Sequence, residues 1–290
     1  MKPLSLLDDE AARRLRGVLF DLDDTLLSHG VLSRAAYEAL WSLRDAGLAL
    51  VAVTGRPSGW GEILVRQWPI DGCVAENGAI HCVRRGRGVV RIDACSEAER
   101  RARRDRLAVL VNRVREVVPE ARLTDDAAAR VSDVTWDVGE LVTLPDDRVR
   151  LVAQEIASAG ARSTQSSVHL HATYDFDDKA TGAVRFCARE LAEEPGSSLN
   201  RFAFVGDSGN DAACFAAFRT TFGVANVRAS VRRLSVTPRY VATREMGEGF
   251  AEIAAAIVSR RRALPPAPAT GTRNAGAPAL GASALERSPK

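Results

Sequence analysis

Apolar runs that stop abruptly at polar residues recur along this chain, and segments of helical periodicity separate them. Val18 to Phe20 ends at Asp21 in "RGVLFDLDDTLL", and "LALVAVTGRP" stops at Thr54-Gly55. Such short uninterrupted runs suit parallel strands, which are covered on both faces. Between them, "SRAAYEALWSLRDAG" sets Ala36, Leu40 and Leu43 at helical spacing, with Ser33 suited to the N-cap and Gly47 to the stop. A second helix is expected in "SGWGEILVRQW" and a short strand around "GCVAENGAI". Two βα units in series imply a parallel sheet.

The texture then changes. Cys95 to Val118 reads as a long charged amphipathic helix whose core stripe is Leu107, Leu110, Val111 and Val114. Its arginines, interleaved with acids, read as a solvated face rather than a nucleic-acid patch. β-type segments follow near 121–124, 130–136, 139–143 and 167–174, with a helix from about Pro145-Asp146, as in an α+β module with a mostly antiparallel sheet. The βα rhythm returns with a helix over 179–193, strand "RFAFVGD", a helix over 210–217, strand "TTFGV", a short helix near 228–234, strand "RYVAT" and a helix over 249–262.

The expected fold class is therefore α/β, a parallel-sheet core with helices on both faces. It is built from residues 1–82 and 179–263 and interrupted by an α+β insertion over 83–178. Residues 264–290 hold five of the twelve prolines and little apolar periodicity, so they read as a disordered tail.

Composition narrows the partners. Net charge is +3, of which the tail contributes +2, so the folded part is near neutral and neither nucleic acid nor membrane is suggested. The five cysteines form no CxxC pair and read as reduced, mostly buried thiols. No window approaches the roughly 20 apolar residues of a membrane span, and a cytoplasmic soluble protein is expected.

Ligands of open parallel sheets bind beyond the carboxyl ends of the strands. Three core strands here end in polar clusters: Asp21-Leu22-Asp23-Asp24-Thr25, Thr54-Gly55-Arg56, and Gly206-Asp207-Ser208-Gly209-Asn210-Asp211. Lys179 opens the helix before the last of them and is one of three lysines among forty basic residues, so it calls for a reason that arginine does not meet. Carboxylates converging on one cleft require a cation, and oxygen-only ligands suit a hard ion such as Mg²⁺. Mg²⁺ in turn implies phosphate.

"DLDDT", "TGR", a lone Lys and "GDSGND", in that order, resemble the four motifs of the haloacid dehalogenase superfamily of phosphotransferases. The likeness spans roughly residues 15–260. The insertion resembles that superfamily's type-two cap (subclass IIB, Cof-like or sucrose-phosphatase-like), and "ENGA" at 76–79 is similar to the segment leading into it. The resemblance implies a Rossmann-like core and a phosphatase acting on a small phosphorylated metabolite such as a sugar phosphate. It implies Asp21 as nucleophile, forming an aspartyl-phosphate, and Asp23 as general acid/base. Mg²⁺ would be held by Asp21, the Asp23 backbone carbonyl and Asp207, with Asp211 behind them. Thr54, Gly55, Lys179 and Asn210 would bind the phosphoryl group. A sugar phosphomutase shares every motif, and a catalytically idle binding relative is a third reading.

Other residues keep two readings. Arg56 is either a helix-start ion pair or a substrate contact, and Asn77 either a turn residue or a substrate contact. His169 and His171 share one strand face, which is either solvated or turned to the cleft; a metal pair is a third use. Trp60 and Trp68 read as core packing. Asp175, Asp177 and Asp178 in "YDFDDK" echo "DLDDT" but follow an alternating strand, so they are expected as linker and helix-start residues.

Overall fold

The computed structural model describes residues 1–166 and 168–262, so the expected tail at 264–290 lies outside the described residues. Among these, nine strands form one twisted sheet in the spatial order Lys2–Pro3, Tyr240–Val241, Thr220–Gly223, Phe202–Gly206, Gly17–Phe20, Ala49–Val53, Gly72–Ala75, Ile80–Arg85 and Gly88–Asp93. Every neighbouring pair from the first to Gly72–Ala75 is parallel. Gly17–Phe20, buried at all four positions, lies at the centre. Its alternate side chains enter opposite layers: Val18 and Phe20 pack with Leu40 and Phe250, whereas Leu19 joins Phe186, Phe204 and Phe215. Each layer is closed by helices, so the expected α/β class holds.

The helices start where the sequence signals placed them. Arg34–Asp45 is capped by the Ser33 hydroxyl, which accepts from the Ala36 amide at 3.2 Å. Asp178 caps Lys179–Glu190 in a reciprocal box with Thr181. That helix approaches the Glu76–Gly78 turn so closely that a Cβ on Gly182 would lie 2.4 Å from the Gly78 Cα. A helix at Pro195–Arg201 was not anticipated.

The expected strand at "GCVAENGAI" is two strands joined by that turn, in which Glu76, Asn77 and Gly78 all have positive φ. A hairpin through Asp93 follows and stays hydrogen-bonded to the main sheet. A core boundary at residue 82 therefore falls inside a sheet strand. The apolar set Ile80, Cys82 and Val83 belongs to the main core.

The segment beyond Asp93 forms a separate antiparallel sheet in the order Arg162–Gln165, His169–Thr173, Asp133–Asp137. Its apolar face, with Trp136, Leu170 and Ala172, packs on Leu107, Leu110 and Val114 of the helix Glu97–Val117 and on Val152 and Ile156 of the helix Asp146–Ser158. Two expected strand segments differ. Leu123 makes a single bridge to Trp136, and 139–143 is a turn because the Asp137 carboxylate accepts the amides of Gly139, Glu140, Leu141 and Val142. Those amides are thereby taken from any ladder. The edge strand Arg162–Gln165 is largely exposed and has no apolar alternation to betray it.

Candidate active site

The polar ends of the core strands meet above the centre of the sheet. Asp21 takes its backbone bond from Val205 on the neighbouring strand (N to O 2.9 Å), which fixes the height of its carboxylate beside Asp207. Lys179 donates to Asp21 Oδ1 and to Asp211 Oδ1, both at 2.8 Å. The other Asp211 oxygen accepts the amides of Asp207 (2.9 Å) and Ser208 (3.1 Å). Gly206 makes this approach feasible, since a Cβ there would sit 2.4 Å from that oxygen. Thr25 Oγ1 and Asn226 Nδ2 hold the two oxygens of Asp207 at 3.0 Å each.

Asp21, Asp207 and Asp211 are buried and offer oxygens within 4.8 Å of one another. Burial pushes the Asp21 carboxyl up to about 7; Lys179 opposes the rise, and Asp211 and Asp23 add to it. Asp207 is likewise raised well above the carboxylate range by burial, with Asp211 and Asp21 next. One ammonium does not neutralise three buried carboxylates. An all-oxygen set with surplus negative charge fits a hard divalent cation.

A cavity of about 20 Å³ adjoins this cluster, lined by Asp21, Asp23, Gly55 and Asn210 with Ser208 from the core and by Ser166, His169 and His171 from the insertion. The structure thus brings Asp21, Asp23, Gly55 and Asn210 together and sets Lys179 against Asp21. Thr54 is fully buried, and its hydroxyl accepts the Arg56 amide at 3.0 Å. Arg56 forks onto Asp23 (Nε to Oδ2 3.0 Å, Nη2 to Oδ1 2.9 Å) and reaches Glu140 of the insertion at 2.9 Å. Burial works against its charge, yet Asp23 and Glu140 outweigh it and hold its pKa above the usual arginine value. Its guanidinium also covers Trp60 at 4.8 Å, and Trp60 and Trp68 both pack on the core. Asn77 adopts φ +53° in the turn, and among the described residues its buried Oδ1 has no hydrogen-bond partner.

The solvated reading of His169 and His171 is overturned: they are 4% and 3% exposed and face the core. The polar face of the insertion's sheet covers the cleft, because its apolar face is already claimed by two helices. His169 Nε2 meets Glu140 at 2.6 Å, and His171 Nδ1 meets Asp133 at 3.0 Å and Thr135 Oγ1 at 2.9 Å. Arg130 holds Asp133 at 3.1 Å and donates to the Gly55 carbonyl at 2.9 Å. Glu76, buried in the turn after the third core strand, accepts the Ser58 amide from the core and the Val131 and Ser132 amides from the insertion.

In "YDFDDK", Asp178 is the helix cap and Asp177 pairs with Arg185. Asp175 is buried against Arg100 and Arg103, so part of the supposed solvated arginine face is an internal ion pair. Thr25, Asn226, Glu76, Arg130, Asp133 and Glu140 were not singled out from sequence. Asn226 follows the strand Thr220–Gly223 at its carboxyl end, and the rule that picked the other motifs would have found it.

A family model described as haloacid dehalogenase-like hydrolase matches residues 18–89. A phosphoglycolate phosphatase of Methanospirillum hungatei is 28% identical over 244 residues, covering 82% of this chain and 95% of that protein. The crystal structure of a Thermoplasma acidophilum protein superposes with a TM-score of 0.66 at 19% identity, covering 84% of this chain and 98% of the other. The sucrose-phosphatase of Synechocystis sp. PCC6803, solved with sucrose and phosphate, gives a TM-score of 0.58 at 15% identity over 84% and 98%. The two structures share the fold.

Proposed function

We propose that this chain, which is similar to the haloacid dehalogenase-like hydrolases, is a phosphoric monoester hydrolase: a Mg²⁺-dependent phosphatase of a small phosphorylated metabolite, working through an aspartyl-phosphate on Asp21. The observation that carries this reading is the bridge from Lys179 to Asp21 and Asp211, with Asp21 itself lining a cavity shared with Asp23, Gly55 and Asn210.

Asp21 attacks phosphorus, and the phosphoester bond breaks as the Asp21–phosphorus bond forms. Asp23 protonates the leaving oxygen, then takes a proton from the water that hydrolyses the acyl phosphate. Lys179 holds Asp21 in position and, with the amides of the Thr54–Arg56 loop and with Asn210, receives phosphoryl oxygens. Asp21, the Asp23 carbonyl and Asp207 would hold the Mg²⁺, and Asp211 orients that set through the Asp207 and Ser208 amides. The bound cation supplies neutralisation of charge on the transferring phosphoryl group.

The resemblance favours a sugar phosphate. The phosphoglycolate phosphatase relative favours a shorter substrate. A reducing, cytoplasmic setting suits the five unpaired cysteines. Among the described residues no helix is long and apolar enough to cross a membrane. Phosphate release from a panel of two- to six-carbon phosphomonoesters, with Mg²⁺ and with EDTA, tests the reading. Turnover that survives EDTA would overturn the metal requirement.

A further inference from the structure

The sheet face that closes the cleft is loaded with ionisable groups, and one pair is arranged toward the cavity. His171 lines the cavity, and its Cε1 lies 3.2 Å from where a Cβ on Gly55 would be. It therefore stands directly over the loop whose amide is assigned to the phosphoryl group. Its Nδ1 faces Asp133 at 3.0 Å. The Asp133 carboxylate is fully buried and held below the ordinary carboxylate range: burial opposes ionisation, and Arg130 and the His171 bond outweigh it. An ionised Asp133 requires the proton on Nδ1, which leaves Nε2 as the ring's other polar end. Among the described residues Nε2 has no hydrogen-bond partner. No apolar side chain lines this cavity; Ser166, His169 and His171 make its upper wall.

We propose that His171, oriented by Asp133, is a specificity-determining contact for an oxygen group that the substrate carries one or two carbons beyond the phosphoester oxygen. The proposal rests on the phosphatase reading above and names its substrate class: short phosphomonoesters bearing a carboxylate or a hydroxyl. His171 stands over the Gly55 loop, so an oxygen group that it meets lies close to the phosphoryl group. Asp133 is a positioning residue, since His171 lies between it and the cavity. Arg130 ties the pair to the phosphate loop through the Gly55 carbonyl, so the distance from phosphoryl group to His171 is set by the fold.

The test compares kcat/KM for 2-phosphoglycolate, 2-hydroxyethyl phosphate and ethyl phosphate, with p-nitrophenyl phosphate as a generic ester and Mg²⁺ throughout. The wild type is expected to prefer at least one of the two oxygen-bearing esters to ethyl phosphate by tenfold or more, and the preferred one distinguishes carboxylate from hydroxyl. His171→Asn keeps a polar group toward Asp133 and removes the Nε2 end; it should erase that preference. His171→Gln sets an amide near the Nε2 position and should restore part of it. Asp133→Asn should lower the preference without touching substrate. An equal proportional loss on all three esters would make His171 merely structural and overturn the proposal. A wild type that hydrolyses p-nitrophenyl phosphate with no preference among the three overturns it too, and leaves the phosphatase reading standing. No hydrolysis of any ester overturns both.

Discussion

Lys179 Nζ stands 2.8 Å from an oxygen of Asp21 and 2.8 Å from one of Asp211, so a single ammonium joins the ends of two neighbouring core strands. Its side chain is 1% exposed. Burial opposes its charge, but the two carboxylates outweigh burial and hold its pKa above the ordinary lysine value. A planar guanidinium cannot take the place of a compact point charge between two close oxygens. Lys179→Arg is therefore expected to lower phosphate release at least 100-fold, with roughly 1–3 kcal/mol of overpacking cost visible in urea unfolding. Activity near the wild-type level would show that charge alone suffices.

Asp21 and Asp23 share one cavity yet make different contacts, Asp21 with Lys179 and Asp23 with Arg56. Asp21→Asn removes the attacking oxygen and should abolish turnover and rapid-quench labelling of the chain alike. Asp23→Asn should slow turnover ~10²–10⁴-fold, the usual scale for a general acid/base. Full turnover in the second variant would remove Asp23 from that role.

Three buried carboxylates against one lysine should make the fold sensitive to a divalent cation. Mg²⁺ at about 100 times its dissociation constant is expected to stabilise the native state by about 2.7 kcal/mol, read as a rise in melting temperature. Asp207→Asn should remove most of that rise, since Asp207 lies in the cluster and its oxygens are presented by Thr25 and Asn226. A melting temperature indifferent to Mg²⁺ and to EDTA would refute the metal assignment.

The core and its motifs were legible because buried parallel strands leave a plain mark: an unbroken apolar run that ends at a chemically distinct residue. Asp21, Thr54 and Asp207 could be named from that mark alone. The insertion was less legible. Its strand Asp133–Asp137 alternates correctly, but alternation tells which residues share a face and not what covers that face. Two helices claim the apolar side, so the side that a sequence reading gives to water is the one pressed on the core, and His169 and His171 change meaning with it. Glu140 and Arg130 carried no periodic signal, because they act from a turn and a loop. The Asp137 carboxylate folds its own turn, which is why 139–143 reads as a strand and is none.

His81 is buried on the strand Ile80–Arg85 against Phe186, and among the described residues neither ring nitrogen has a partner in good hydrogen-bond geometry. Burial pushes its pKa down to about 4, and the Arg185 charge adds to the shift. Between about pH 4 and 6.5 the unfolded chain binds a proton there and the native chain does not, so stability falls as pH falls through that window. The full shift corresponds to about 3 kcal/mol. His81→Leu is expected to reduce the difference between urea midpoints at pH 7 and pH 4.5. An unchanged difference would assign the acid sensitivity elsewhere.

Glu76 grips both halves of the site: it takes the Ser58 amide at 3.0 Å and the Val131 and Ser132 amides and the Ser132 hydroxyl at 2.5 to 3.1 Å. It does so from a left-handed backbone, φ +50°, that only a well-bonded side chain repays. Glu76→Gln keeps one acceptor oxygen but turns an amide donor on backbone N–H groups, so about 2 kcal/mol of stability should be lost. Because the insertion's Val131–Ser132 segment leads directly into the strand bearing Asp133, loosening it should also displace His171. Hydrogen exchange at Val131 and Ser132 is expected to accelerate and KM to rise several-fold, with kcat changing less. Faster exchange with an unaltered KM would show that Glu76 only holds the fold together, and that closure of the insertion does not depend on it.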